Sequence, residues 1–158
     1  MSDVATIFCA DCGTECALVD GRDVDAHDPA IADAWVWACP VCPASWAHQD
    51  KDGGCVGLPA GQATVNARAL LRLQVMVPLV RQAPPNEQTL AAARVRAFLA
   101  DHLDLADQDG LLAHLNLDQL RQAWRVLHAT TYDDVRIWAQ RHRGTKRRAQ
   151  ASGEGVAA

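Results

Sequence analysis

The chain has 158 residues, of which 49% are apolar and 22% are charged. This length and composition fit one ordinary globular domain with a small appendage, and they exclude a repeat array and a disordered chain. No apolar stretch reaches the roughly 18 residues that span a bilayer, and the first residues lack the basic and apolar regions of a secretion signal. We therefore expect a cytoplasmic protein without a membrane partner.

The net charge of −4 conceals a gradient along the chain. Residues 1–58 carry ten acidic and two basic side chains, whereas the remainder carries thirteen basic and nine acidic ones. An acidic segment repels phosphate groups and a basic segment attracts them. Any contact with a polyanion is therefore expected in the second part of the chain.

Two short cysteine pairs stand out in the N-terminal part, Cys9-Ala-Asp-Cys12 and Cys39-Pro-Val-Cys42. Two residues between thiols allow a tight turn to bring both sulfurs to one point, and two such turns supply the four ligands of a closed tetrahedral zinc site. Thiols stay reduced in the cytoplasm, which disfavours a disulfide framework. The spacing predicts one structural Zn²⁺ bound by Cys9, Cys12, Cys39 and Cys42.

The spacing leaves alternatives open at this site. Iron in a rubredoxin-like centre uses the same four thiolates. His48, Cys16 and Cys55 lie near enough in sequence to replace one ligand, although Cys16 and Cys55 are more typical of small buried apolar residues. A thioredoxin-type redox pair needs one Cys-x-x-Cys at the start of a helix in a βαβ setting, which this segment does not offer.

Four thiolates fill the coordination shell and leave no position for a reacting water, so the metal is predicted to be a scaffold. The deaminase pattern of His-x-Glu with Pro-Cys-x-x-Cys is absent, because Ala38 precedes Cys39 and His27 is followed by Asp28. No Ser, His and acid set stands out. We predict no enzymatic activity, no catalytic residues and no small-molecule substrate.

Residues 18–20, 33–38 and 44–49 have the alternation of short strands, and the last two flank the second cysteine pair as a hairpin. The sequence thus predicts a zinc ribbon over residues 1–58. Trp35 and Trp37 share a face of one strand and Trp46 lies on the next. These indoles are interpreted either as a surface for stacking or partner binding, or as the core that docks the ribbon on the helices.

A Gly-rich hinge at residues 52–59 precedes about four predicted helices in residues 59–143. The first, over about residues 60–77, is expected to bury an apolar stripe and to end or kink at Pro78. The second is expected to start at Asn86 as N-cap and to run through about residue 103. The expected buried residues are Val65, Ala69, Leu73, Met76 and Val80 in the first helix, and Leu90, Phe98, Leu99 and Leu103 in the second.

Capping boxes predict the last two helix starts, at Asn116 with Gln119 and at Thr131 with Asp134. The helix after Asn116 is expected to bury Leu120, Trp124 and Leu127. The final helix is expected to reach about residue 143 with Val135 and Trp138 inward. His102, His114 and His128 are interpreted as partly buried packing residues. The predicted fold is small α+β, with an N-terminal zinc ribbon of short antiparallel strands, a mainly helical part, and a basic, flexible tail over residues 144–158.

Several motifs follow one another between about residues 8 and 128. They are Cys9-x-x-Cys12-Gly13, Leu18-Val19-Asp20, Trp37-x-Cys39-Pro-x-Cys42, Pro59-x-Gly61 with Asn66-Ala67, the Ala-Phe-Leu-Ala-Asp-His-Leu run at 97–103, and His114 before the capped helix. This order resembles a phage- and prophage-type zinc-finger-containing domain family of uncharacterised function. The resemblance implies a small bacterial or viral accessory protein and supplies no reaction. The chain departs from the family in lacking a glycine after the second pair and in an insertion at residues 50–55.

The leading functional hypothesis is weak nucleic-acid binding through the basic C-terminal region, with Arg68 and Arg72 as further candidates. The alternative is a protein–protein adaptor or modulator of a host factor, which would use the acidic ribbon with Trp35, Trp37 and Trp46. The candidate nucleic-acid contacts are Arg136, Arg141, Arg143, Lys146, Arg147 and Arg148.

Overall fold

The computed structural model describes residues 6–25 and 27–153, with side chains through residue 142. Three short strands lie near the N-terminus: β1 (Ala17–Asp20), β2 (Trp35–Ala38) and β3 (Trp46–His48). They form one antiparallel sheet in the order β1-β2-β3. The short helix α1 (Gly21–Asp25) follows β1 directly. The predicted α+β fold with an N-terminal sheet is confirmed.

The described chain is mainly helical from Gln62 onward. The α-helices are α2 (Gln62–Leu71), α3 (Val77–Val80), α4 (Gln88–His102), α5 (Leu117–His128) and α6 (Tyr132–Gly153). A π-helical segment, Arg72–Met76, joins α2 to α3, and short 3-10 turns occur at Pro85–Glu87 and Leu111–His114. No helix in the described part of the chain is long and apolar enough to cross a membrane.

The chain divides into two compact units that do not follow the sequence order. Met1–Arg72 and Asp109–Gln122 form the first, here called the ribbon unit. Leu73–Gln108 and Ala123–Ala158 form the second, here called the helical unit. The ribbon unit therefore contains more than the predicted ribbon of residues 1–58, and the proposed boundaries at 58 and 143 remain predictions.

The expected apolar stripe of the first helix is wrong. Val65 and Leu73 are exposed, at 42% and 63%, whereas Thr64, Leu71, Val75 and Leu79 are buried. Arg68 belongs to the inward side of α2, where its guanidinium donates to the carbonyl oxygens of Leu115 at 3.0 Å and Leu58 at 3.3 Å. The π segment adds a residue to one turn, which shifts the register of the residues that follow. Pro78 lies in the first turn of α3, where its missing N–H is tolerated.

Two expectations for α4 are corrected. The residue before this helix is Glu87, no side chain caps the start, and Asn86 lies within the preceding 3-10 turn. Leu90 is 46% exposed, because the inward side of α4 is formed by Ala91, Val95, Phe98 and Leu99. Pro85 occupies the first turn of the 3-10 segment, where its missing N–H needs no partner.

Both predicted capping boxes are confirmed. Asn116 Oδ1 accepts from the Gln119 backbone N–H and Gln119 Oε1 accepts from the Asn116 N–H, each at 2.9 Å. Asp134 accepts from both the backbone N–H and the hydroxyl of Thr131. Helix α6 extends through Gly153, ten residues beyond the predicted end at 143.

The predicted partial burial of three histidines is confirmed for one and wrong for two. His114 is half-buried as expected, whereas His102 and His128 are exposed. Each exposed imidazole lies against an aromatic ring one turn earlier, His102 against Phe98 and His128 against Trp124. Spacing of four residues on a helix favours such pairs at the surface as well as in the core.

Candidate metal centre

The first cysteine pair is formed by a tight turn. Gly13 N–H donates to Cys9 O at 2.9 Å, and Cys9 N–H donates to Thr14 O at 2.9 Å. Gly13 has φ +72°, a left-handed conformation that glycine adopts without steric penalty. The isolated bridge between Phe8 and Glu15 closes the loop. The Sγ atoms of Cys9 and Cys12 are thereby held within 4.8 Å of each other.

The second pair lies in the connection between β2 and β3. The backbone N–H groups of Val41 and Cys42 point at Cys39 Sγ, at 3.4 and 3.3 Å. Ala44 has φ +56°, a left-handed conformation that is less favourable for alanine than for glycine. The hairpin predicted around the second pair is present.

The two turns bring four sulfur atoms together. Among the described residues, the group of metal-ligating side chains consists of Cys9, Cys12, Cys39 and Cys42, whose Sγ atoms all lie within 4.8 Å of one another. Cys12 Sγ and Cys39 Sγ are 3.5 Å apart. Tetrahedral Zn²⁺ with Zn–S bonds of about 2.3 Å places its sulfurs about 3.8 Å apart. The donor set and its spacing fit a four-coordinate thiolate metal site.

The pKa values of Cys9, Cys12 and Cys42 are shifted in different directions. Hydrogen bonds from the side chain and backbone of Thr14 lower the pKa of Cys12 to about 6. A hydrogen bond to Cys12 is the main cause that raises the pKa of Cys42 to about 12, and desolvation is the second. Burial raises the pKa of Cys9. One thiolate so close to the others disfavours further ionisation, because like charges repel. A divalent cation removes that repulsion and allows all four sulfurs to ligate.

The three alternative ligands lie outside the four-sulfur group. Cys16 is buried beside it, and burial raises its pKa to about 12. Cys55 is half-buried, and burial raises its pKa to about 11. His48 is exposed and its ring lies edge-on to Trp46 at a centroid distance of 5.1 Å. In the described part of the chain, none of these three joins the four sulfurs.

A small hydrophobic core supports the cysteines. Cys9, Cys16 and Trp37 are buried together, with Ile7 and Cys55 packed against them. Trp37 is 8% exposed, and its Nε1–H donates to Gly54 O at 2.9 Å. The indole therefore links the two cysteine turns to the loop at residues 50–55.

The other two tryptophans of the predicted surface differ from Trp37. Trp35 is 57% exposed and Trp46 is half-buried. Trp35 lies opposite Asp20 and Trp37 opposite Leu18 in the pairing of β1 with β2. The three indoles therefore do not form one exposed surface, and of the three Trp35 presents the most area to solvent.

Sequence reasoning missed Asp11, which lies between the two cysteines of the first pair. Its carboxylate accepts hydrogen bonds from Thr64 Oγ1 at 2.5 Å, Gly61 N–H at 2.7 Å and Ser45 Oγ at 3.3 Å. Desolvation opposes ionisation, but these donors outweigh it and lower the pKa of Asp11. Asp11 thus connects the first cysteine turn by hydrogen bonds to the second cysteine turn and to the start of α2. The residue before α2 provides no side-chain cap. No spacing rule signals such a contact.

The predicted nucleic-acid contacts are only partly described. Arg136 is exposed and forms an ion pair with Asp133 at 3.0 Å, and Arg141 is exposed. The side chains of Arg143, Lys146, Arg147 and Arg148 lie outside the described residues. Arg72 is exposed, whereas Arg68 is held by two carbonyl groups of the ribbon unit and is not presented for phosphate binding.

Comparison with protein-family models, with curated proteins and with solved structures finds no match to this chain.

Proposed function

We propose that the four-cysteine cluster binds one structural Zn²⁺ and that the protein is a non-enzymatic binding module. The observation that carries this proposal is the convergence of four Sγ atoms within 4.8 Å from two turns 27 residues apart. Four thiolates occupy every position of a tetrahedral ion, so a metal bound here has no open site for a substrate. The order of motifs supports membership of the phage- and prophage-type zinc-finger family.

The binding activity that we propose is weak, salt-dependent association with nucleic acid through α6. This helix carries six basic and two acidic residues, and its backbone remains helical through Gly153. Phosphate binding by Lys and Arg releases counterions. For each tenfold rise in salt, the logarithm of the binding constant should therefore fall by about 0.7 to 0.9 per phosphate contacted. The acidic ribbon is a poor surface for phosphate.

A mobility-shift titration with single-stranded and double-stranded oligonucleotides at two salt concentrations tests this proposal. Changing Arg147 and Arg148 together to Gln should weaken binding and reduce the salt slope. Changing Arg121 and Arg125, which are exposed on α5, to Gln alters net charge equally and should leave binding nearly unchanged. No shift at low salt, or equal loss in both double variants, would remove the proposal.

A second candidate function is protein binding through the ribbon unit, and the exposure of Trp35 favours it. The Trp35 side chain is 57% exposed, and Trp residues are enriched where proteins contact each other. A partner with a basic surface would complement the acidic charge of residues 1–58.

A pull-down from nuclease-treated lysate separates the two functions. Capture through the ribbon should survive truncation at Gln140 and should be lost in Trp35→Ala or Asp23→Lys. Val41→Ala is the matched control, because Val41 is an exposed apolar residue of the same unit. Capture that is unaffected by Trp35→Ala and Asp23→Lys would exclude this candidate.

A further inference from the structure

A pocket of about 360 Å³ lies within the helical unit, between α4 and α6. Small side chains create the space: Ala93, Ala97 and Ala100 on α4 and Ala139 on α6. Leu105 and the indole of Trp138 complete the apolar wall. The volume falls in the range of small-molecule sites, which are mostly apolar with a few polar groups that orient the ligand.

Arg94 supplies an incompletely paired cation at this pocket. Its Nη1 donates to the hydroxyl of Tyr132 at 3.0 Å, and its Nε is buried with no hydrogen-bond partner. Among the described residues, no carboxylate lies within ion-pair distance of this guanidinium. An anion beside Arg94 would supply the charge that the protein itself does not.

The acidic groups at the same pocket already have partners. Asp107 pairs with Arg96 at 2.7 Å. Asp101 Oδ2 accepts from Trp138 Nε1–H at 3.0 Å and lies 3.6 Å from His142 Nε2. Two carboxylates flank the site and repel a doubly charged group such as a phosphate monoester. A ligand with one negative charge is therefore favoured over one with two.

We propose that this pocket binds a small organic monocarboxylate with an apolar body. The carboxylate would pair with Arg94, for which a guanidinium is the preferred partner. The apolar body would cover the alanines of α4 and the Trp138 indole. The proposal concerns a bound ligand and assigns no reaction, and it is independent of the metal site and of nucleic-acid binding.

Titration of the metal-loaded full chain with 3-phenylpropanoate tests the proposal, read from the Trp138 indole N–H signal in a nitrogen-15 NMR spectrum. Trp138→Phe identifies that signal. Saturable binding in the millimolar range is expected, with 3-phenylpropanol at least about tenfold weaker because it lacks the charge, a tenfold change being about 1.4 kcal/mol. No saturation with the carboxylate, or tighter binding of phenyl phosphate, would overturn the proposal.

Two variants locate the site. Arg94→Gln should weaken 3-phenylpropanoate binding at least about tenfold, whereas Arg125→Gln, which removes an exposed cation of the same unit, should not. Ala97→Leu fills the pocket, retains Arg94 and should abolish binding even if Arg94→Gln disturbs the fold. Unchanged affinity in Ala97→Leu would show that the carboxylate binds elsewhere and would refute the assignment.

Discussion

The carboxylate of Asp11 accepts a hydrogen bond from the hydroxyl of Thr64 at 2.5 Å, across 53 positions of sequence. Thr64 is fully buried in the first turn of α2, and Asp11 lies within the first cysteine pair. A change at either residue therefore affects both the first cysteine turn and the start of α2.

We expect Asp11→Asn and Thr64→Val each to lower the free energy of unfolding, by on the order of 1 kcal/mol for a charged hydrogen bond that is partly exposed. Urea unfolding of the metal-loaded protein measures both values. The double variant should be less destabilised than the sum of the single ones, because the two changes remove one interaction. Additive losses would show that the two side chains are not coupled, and Thr64→Ser should retain the bond.

Removal of one metal ligand should unfold the ribbon unit around the cysteines. Elemental analysis should find one zinc per chain in the parent protein and markedly less in Cys39→Ser, because three thiolates hold the ion less tightly. Cys55→Ser is the matched control and should retain the metal, since Cys55 lies outside the four-sulfur group. Structural zinc contributes on the order of 10 kcal/mol in zinc-finger peptides, so a chelator should abolish the dispersed NMR signals of this unit. A finding of one iron per chain in place of zinc would mean that the same four thiolates bind iron.

Trp37 and Trp35 should differ sharply in their effect on stability. Trp37→Ala is expected to destabilise the protein by about 3–5 kcal/mol, because the indole is buried beside the cysteines and bonded to Gly54. Trp35→Ala is expected to change stability by less than about 0.5 kcal/mol, since most of its side chain faces solvent. Chemical unfolding of both variants checks the difference, and similar values would contradict the placement of these strands.

Asn116 should contribute to helix stability and Asn86 should not. Asn116→Ala removes the Oδ1 acceptor of the capping box, which is expected to lower the free energy of unfolding by about 0.5–2 kcal/mol. Asn86→Ala should be nearly neutral, because the helix that follows starts at Gln88 without a side-chain cap. Thermal unfolding of the pair provides the comparison. A larger effect at Asn86 would mean that α4 starts earlier than its hydrogen bonds show.

His114 should make stability decrease as the pH falls. Burial, with a smaller contribution from the charge of Arg68, lowers the pKa of this imidazole below its ordinary value of 6.5. The unfolded chain then binds more protons than the folded one below about pH 6.5, so stability is lost as the pH drops through that value and is unaffected above it. His114→Gln removes this term.

The difference in the free energy of unfolding between the parent protein and His114→Gln should be measured from pH 7.5 to 5.5. Because any loss of metal at low pH affects both proteins, this difference reports the contribution of the His114 imidazole alone. The change should remain below about 1 kcal/mol, since the residue is partly exposed. A difference that does not vary with pH would refute the lowered pKa.

The features that sequence reasoning predicted correctly depend on neighbours within a few residues. The strands beside the cysteine pairs and the capping boxes at Asn116 and Thr131 follow from local spacing, and the structure confirms them. Periodicity wrongly predicts burial of Val65 in α2, of Leu73 in the π-helical segment and of Leu90 in α4. Periodicity identifies an apolar stripe, but it does not determine which surface that stripe meets.

The four cysteines of the candidate metal site can be predicted from the sequence alone. Residue type and the two-residue spacing within each pair are sufficient to identify such a ligand set. Contacts between distant segments were decided by tertiary structure. The hydrogen bonds that draw Thr64 and Arg68 inward, and the alanine-lined pocket beside Arg94, arise where segments far apart in sequence pack together. A polar group that is removed from water is destabilising unless it has a hydrogen-bond partner, and only the tertiary structure determines which distant residue supplies that partner.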